Sequence, residues 1–253
     1  MLIKVCNDGG AESRELALIS HRGGKGFGPE NTLQSLRGAL DFGVEMVETD
    51  VRMSDDGVPI IHHGPFLGIH LIGRMPMTEI REKAPDIPSL QEYLDLAGNR
   101  CAMNLEIKRC DAGVLAEVVA AASPSSPILV SSFDADFLEL FRDTGSPAAL
   151  GLLSQYERSC ERILSEAARC GATTILPASF VVSEDLVDAA HETGIKVIAW
   201  TVNSITELRE SVEAGVDGVI TDAYPKLKTS LESGLTSSTG EIMAWPVYSG
   251  STP

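Results

Sequence analysis

The sequence predicts an α/β fold, a closed (β/α)8 barrel of the TIM type with one extra antiparallel strand, and three observations carry that prediction. Short apolar, β-branched runs alternate with helical patterns along the chain, eight such runs occur, and 253 residues suit one barrel domain. The runs lie at 16–20, 45–51, 101–107, 128–132, 148–153, 173–177, 196–201 and 217–221. Between them, segments such as TLQSLRGALDFG, VLAEVVAAA, FLELFRDTG, CERILSEAARCG, SEDLVDAAHETG and SITELRESVEAG place apolar residues at three- and four-residue spacing. Several of these end on Gly, the residue that most readily takes the left-handed helix cap. Strand followed by helix followed by strand requires parallel pairing, and eight such units at this length favour closure over an open sheet.

A ninth extended run at 58–62 stands apart, because only SDDG separates it from the second strand and no crossover helix fits there. It is expected to return as an antiparallel hairpin. With a two-residue turn at Asp55-Asp56 or Asp56-Gly57, Glu48, Asp50 and His63 share one face and His62 the other; a three-residue loop swaps the two histidines. The barrel domain is expected to span 1–232. After Tyr224 come one short helix and then a Ser/Thr/Gly-rich tail, 233–253, whose composition favours mobility over packing.

Twenty Lys+Arg against 36 Asp+Glu give a formal charge of -16, which repels nucleic-acid phosphates and anionic membrane surfaces. An anionic small-molecule substrate therefore needs a local cation. Cys6, Cys101, Cys110, Cys160 and Cys170 are odd in number and contain no C-x-x-C, so neither a disulfide framework nor a thiolate zinc site is encoded. No apolar stretch approaches the ~18 residues of a membrane span. A cytoplasmic protein without membrane insertion is the expectation; the sequence is silent on oligomeric state.

In such a barrel, reactive groups sit where strands end and the following loops begin. Those positions carry His21-Arg22, Glu48 and Asp50, His62-His63, and Glu106 with Lys108. Barrel strands are buried on both faces, so the charges of ETD and NLEIK cost several kcal/mol there unless paired or metal-bound. Three carboxylates suit a hard cation, Mg²⁺ or Ca²⁺, better than zinc. The competing reading is a buried ion network pairing Glu48, Asp50 and Glu106 with Arg22, Arg52 and Lys108. The full set, two histidines flanking three carboxylates beside two cations, is what phosphodiester cleavage needs: charge neutralisation, a base and an acid.

Six ordered motifs, HRGGKGFGPENT (21–32), VETDVRMSDDGVPIIHH (47–63), IPSL (87–90), NLEIK (104–108), SSF (131–133) and AWTVN with GVDGVITD (199–203, 215–222), resemble the glycerophosphodiester phosphodiesterase family. The resemblance runs from about residue 16 to 225. It implies a TIM-type barrel and one divalent cation (Mg²⁺ or Ca²⁺, with Mn²⁺ also admitted) on Glu48, Asp50 and Glu106. It also implies a catalytic pair, His21 and His63, with Arg22 and Lys108 on the phosphate. Expected products are sn-glycerol 3-phosphate and an alcohol, formed by attack of water or of the neighbouring glycerol hydroxyl. Alternatives keep the barrel but take lysophospholipid, inositol or sugar phosphodiesters, or bind a diester without turnover.

Two departures from the family pattern stand out. Gly64 occupies the place of the usual Asp after the second histidine, removing a partner that would fix its tautomer, and the segment from 63 to 87 is short. His62 is a candidate substitute. Trp200 closes the seventh strand, either against the substrate's alcohol part or in the core. Asn31 or Thr32 is expected to cap the first helix, and Gly23, Gly24, Gly26 and Gly28 to allow close approach of the first loop. Asp222 either reaches the site or caps the turn after the last strand. The apolar residues Phe66, Leu67, Ile69, Leu71 and Ile72 either pack on the rim or expose a patch.

Overall fold

A computed structural model describes residues 3–6, 13–122 and 126–232. The expected tail, 233–253, lies outside the described residues. Strands β1 (Ile3–Cys6), β2 (Ser13–Ser20), β3 (Met46–Met53) and β4 (Pro59–Ile61) open the fold, with helix α1 (Leu33–Phe42) crossing from β2 to β3. A two-stranded hairpin follows, β5 (Phe66–Leu67) and β6 (His70–Leu71), then helices α2 (Met77–Lys83) and α3 (Leu90–Ala97). The remainder alternates strictly: β7 (Ala102–Ile107), α4 (Ala112–Ala122), β8 (Ile128–Ser132), α5 (Ala135–Asp143), β9 (Ala149–Ser154) and α6 (Cys160–Cys170). It ends with β10 (Thr174–Pro177), α7 (Glu184–Glu192), β11 (Lys196–Ala199), α8 (Ile205–Glu213), β12 (Gly218–Thr221) and α9 (Tyr224–Glu232).

Sheet order runs β2-β12-β11-β10-β9-β8-β7-β3, and a β2–β3 pairing at Ser20 and Val47 closes the ring, so the predicted eight-stranded parallel barrel is found. β1 adds to it antiparallel on β2, unforeseen in the sequence reading, and β4 antiparallel on β3. Inside the barrel, Ile19, Leu129, Leu153, Leu176, Ile198 and Ile220 pack as one layer. Because side chains alternate along a strand, the next inward positions after Ile19 and Ile220 are His21 and Asp222, at the C-terminal mouth. Gly151 keeps this layer filled, since a Cβ there would lie 2.6 Å from Leu176 Cδ1. The strands' other faces and the helices form the larger outer core around Leu105, Tyr93, Phe141 and Leu227.

The β3–β4 hairpin corrects the two-residue turn. Val51 pairs with Ile61, Arg52 with Ile60 and Met53 with Pro59, and the Ser54 amide donates to Val58 O at 3.0 Å, enclosing the three residues Asp55-Asp56-Gly57. Gly57 takes φ 80, the left-handed position that ends such a loop, so turn chemistry overrode the shorter alternative. The segment after it divides: Ile72 is buried with Ile60, Met75 and Ile80 in a satellite core, while Phe66 and Ile69 stay exposed.

Candidate active site

The C-terminal ends of β2, β3 and β7 converge on one acidic cluster. Pairing of Glu48 with Asn104 and of Asp50 with Glu106 sets these residues on the inward face of adjacent strands. Ligand oxygens of Glu48, Asp50 and Glu106 all lie within 4.8 Å of one another. All three side chains are buried.

The first loop closes over this cluster. After β2 the chain makes a tight turn, His21–Gly23, in which Arg22 adopts φ 47 and Gly24 caps with φ 94. That turn points the Arg22 amide at Glu48 Oε2, to which it donates at 2.8 Å. Gly23 and Gly24 are the close-approach positions the sequence suggested: added Cβ atoms would strike Tyr93 Oη at 2.2 Å and Ser35 O at 2.8 Å. Thr32 caps α1 in a capping box with Ser35. Asn31, by contrast, is buried under the site, donating through Nδ2 to Asp50 Oδ2 at 2.8 Å and accepting from Thr49 Oγ1 at 2.8 Å.

Each histidine is anchored by a carboxylate. His21 Nδ1 meets Asp222 Oδ1 at 2.7 Å, and since an ionised carboxylate only accepts, Nδ1 bears a hydrogen there, while Nε2 lies 3.7 Å from Glu48 Oε2. Asp222 is held in turn by Asn203 Nδ2 at 3.1 Å and Lys25 Nζ at 3.4 Å. His63 Nδ1 meets Asp50 Oδ1 at 3.1 Å, and its Nε2 accepts from an Arg22 guanidinium N–H at 2.9 Å. The three-residue hairpin loop puts His62 opposite Asp50 in register, and the His62 amide donates to Asp50 O at 3.0 Å before the chain turns. His62 swings to Gly64 O at 2.8 Å, and His63 takes the site. Asp50 supplies the hydrogen-bond acceptor that an Asp at position 64 would otherwise offer, so His62 does not substitute.

Charge is incompletely balanced. Lys108 Nζ contacts Glu106 and lies 3.2 Å from Asp50 Oδ1. Arg22 grips Glu30 through two contacts of 3.0 and 3.1 Å. Arg52 spends its Nε on His63 O at 2.9 Å rather than on a carboxylate, so the buried ion network anticipated as the competing reading does not form in full. Glu48 is the residue left over, with Oε1 buried and without a partner among the described residues. Burial first, then the charges of Asp50 and Glu106, push its pKa well above the usual carboxylate range. Burial also raises Glu106, against the opposing pull of Lys108. For Asp50 burial acts upward too, but the His63 hydrogen bond and Lys108 outweigh it and hold its pKa low. Asp222 is depressed chiefly by the hydrogen bond from His21. A divalent cation fits this donor set: Glu48 has an orphaned oxygen, and Glu48 and Glu106 are both reluctant to ionise without a counter-charge, beside an ionised Asp50.

Trp200 lies at the mouth, its Nε1 donating to Leu176 O at 2.7 Å, with its ring edge-on to Phe133 at 5.7 Å. Phe133 in turn lies 5.9 Å from Lys108 Nζ. Every site residue named from the sequence is thus found on one face. Asp222 reaches the site rather than capping a turn, and Asn203 and Asn31 join as its support. The two-residue step from Ile220 to Asp222 on an alternating strand was the one signal available for it.

A closed barrel that gathers buried carboxylates, two histidines and two cations at the mouth of its strands, in a chain whose relatives are phosphodiesterases, is a phosphoric diester hydrolase. The chain belongs to the glycerophosphoryl diester phosphodiesterase family, whose profile matches residues 21–226. A glycerophosphodiester phosphodiesterase of Caldanaerobacter subterraneus subsp. tengcongensis is 26% identical over 228 residues, 81% of this chain and 93% of that protein. A solved phosphodiesterase of Oleispira antarctica, in complex with the product sn-glycerol-3-phosphate, is 27% identical at TM-score 0.78, over 85% of this chain and 96% of that one. A glycerophosphodiester phosphodiesterase of Thermotoga maritima, 23% identical with TM-score 0.73 over 85% of this chain and 98% of that one, shares the fold. Among the described residues no helix is long and apolar enough to cross a membrane.

Proposed function

We propose that the protein hydrolyses glycerophosphodiesters to sn-glycerol 3-phosphate and an alcohol, with Glu48, Asp50 and Glu106 holding one divalent cation, Mg²⁺, Ca²⁺ or Mn²⁺. The observation that carries this reading is the pair of imidazoles at the carboxylate cluster, each with Nδ1 on a carboxylate, with Nε2 of His21 towards Glu48 and Nε2 of His63 towards Arg22. When bound, the cation would supply Lewis-acid neutralisation of phosphate charge. His21, with Nε2 free of any strong contact, takes the proton from the attacking oxygen; Asp222 fixes its tautomer and stabilises the imidazolium that results. Once the phosphate draws the Arg22 guanidinium away from it, His63 Nε2 takes up a proton from solvent and passes that proton to the leaving alkoxide. Arg22 and Lys108 share the phosphate charge, and Trp200 borders the alcohol.

A barrel that binds a diester without turning it over is disfavoured by the His63 ring, which faces Asp50 despite Gly64. Free Cys101, Cys110, Cys160 and Cys170 agree with a reducing, cytoplasmic setting. The test is release of glycerol 3-phosphate from glycerophosphocholine by metal-stripped protein after Mg²⁺, Mn²⁺ or Ca²⁺ is added back. Activity is expected to return with metal and to fall at least about 100-fold in Glu106→Ala and His63→Ala. No turnover by folded wild-type protein that binds the cation sinks the assignment.

A further inference from the structure

Next to the carboxylate cluster the barrel interior holds a polar pair, Asn104 of β7 and Ser131 of β8, both buried. Ser131 Oγ donates to Asn104 Oδ1 at 2.7 Å. Asn104 lies two residues before Glu106 and Ser131 two residues after Leu129 of the interior layer, so strand alternation turns both inward. That layer is otherwise built of Leu and Ile. Exchanging both partners of a buried hydrogen bond for apolar groups is close to neutral, so the pair itself gives the barrel no reason to keep an amide there.

The other half of the amide supplies the reason. Asn104 Nδ2 is buried and has no partner among the described residues. Strand β7 lies between β8 and β3, and the oxygen and nitrogen of an amide diverge from one carbon. An Oδ1 taken by Ser131 of β8 therefore leaves Nδ2 on the β3 side. The residue paired with Asn104 there is Glu48, on a strand about 4.8 Å away. Its Oε2 accepts from the Arg22 amide at 2.8 Å, and its Oε1 is the buried oxygen without a partner. A donor and an acceptor, each unsatisfied, thus occupy directly paired positions of one interior. The terminal torsions of Glu and Asn are soft, so the two can meet without movement of either strand.

We propose that Asn104 is a positioning residue of the cation site: its Nδ2 donates to Glu48 Oε1 and fixes the plane of that carboxylate, with Ser131 setting the direction of the amide. The inference rests on the reading above in which Glu48 is a cation ligand. An ionised carboxylate offers roughly four lone-pair sites, so Glu48 can accept from the Arg22 amide and from Asn104 and still ligate a cation. Asn104 touches neither substrate nor cation and acts through Glu48 alone.

The experiment titrates Mn²⁺ calorimetrically into the metal-stripped full chain, as wild type, Asn104→Leu and Ser131→Ala, with the melting temperature of each cation-free protein recorded. The Kd for Mn²⁺ should weaken by about 10- to 100-fold in Asn104→Leu, the usual cost of removing a group that orients a metal ligand. In Ser131→Ala it should weaken by roughly 2- to 10-fold, the worth of one neutral hydrogen bond. Hydrolysis of glycerophosphocholine by Asn104→Leu should fall at Mn²⁺ near the wild-type Kd and recover at saturating Mn²⁺, which a packing defect would not do. Equal Kd in wild type and Asn104→Leu overturns the positioning role and leaves the cation site standing. No Mn²⁺ binding by folded wild type overturns the cation reading and the positioning role with it. Should Asn104→Leu not fold, Ser131→Ala decides: a weakened Kd upholds the proposal and an unchanged one overturns it.

Discussion

At the scale of single residues, the site is organised by carboxylates that do different work according to what surrounds them. Asp222 is partly exposed, fixed by Asn203 and Lys25, and ionised, which suits it to orient His21. Asp222→Ala should therefore lower kcat for glycerophosphocholine by about 10- to 100-fold, the usual cost of losing a partner that orients a working imidazole, and leave KM near its original value. A change confined to KM would place Asp222 in substrate binding instead. Glu48 is the opposite case. Its raised pKa means the folded, cation-free protein binds a proton there that the unfolded chain has released above about pH 4.3. Its contribution to stability is complete below that value and is lost as pH rises through its folded pKa. Cation-free protein is thus expected to lose melting temperature as pH rises from about 4.5 towards 8, with the drop reduced in Glu48→Gln and reversed by adding the cation. A melting temperature that is flat over this range would show that Glu48 ionises without penalty. Asp50 and Asp222, held low, act in the acid window, adding stability above about pH 3.9 that disappears as pH falls through their folded values.

Among the elements, the β3–β4 hairpin decides which histidine serves the site. Its loop depends on Gly57 in the left-handed region, and a Cβ there would meet nothing within 4 Å, so substitution tests backbone conformation alone. Gly57→Ala should cost about 1 kcal/mol by urea denaturation and Gly57→Asn clearly less, because Asn tolerates that conformation. Equal costs for the two would mean that the loop relaxes to another turn. The pattern of alternating strands and striped helices was legible along the whole barrel, and so was the shared face of Glu48 and Asp50, since both follow from fixed periods of the chain. The hairpin's register was not, because SDDG accommodates loops of two or three residues at little difference in energy. β1 went unread for a different reason: it is an edge strand whose position is set by its pairing with β2.

For the molecule as a whole, the net charge of -16 surrounds a site that must receive a phosphodiester. Long-range repulsion falls within about 10 Å at 0.1 M salt, so kcat/KM for net-anionic diesters such as glycerophosphoglycerol should rise as salt is raised from about 0.01 to 0.1 M, while that for zwitterionic glycerophosphocholine stays nearly level. Parallel responses of the two substrates would show that local cations already govern capture. The chemistry that the sequence by itself determined is the part written in local order: barrel class, the three carboxylates, His21, Arg22 and Lys108, all at strand ends where the alternation of side chains dictates their direction. What only the tertiary structure decided is the part that depends on closure. His21 and Asp222 are 201 positions apart, and they meet because the first strand pairs with the last. His63 reaches Asp50 only because the β3–β4 hairpin brings the two back together, 13 positions apart in the chain. Local periodicity fixes the direction of a side chain, whereas its partner is fixed by which strands the whole fold brings side by side.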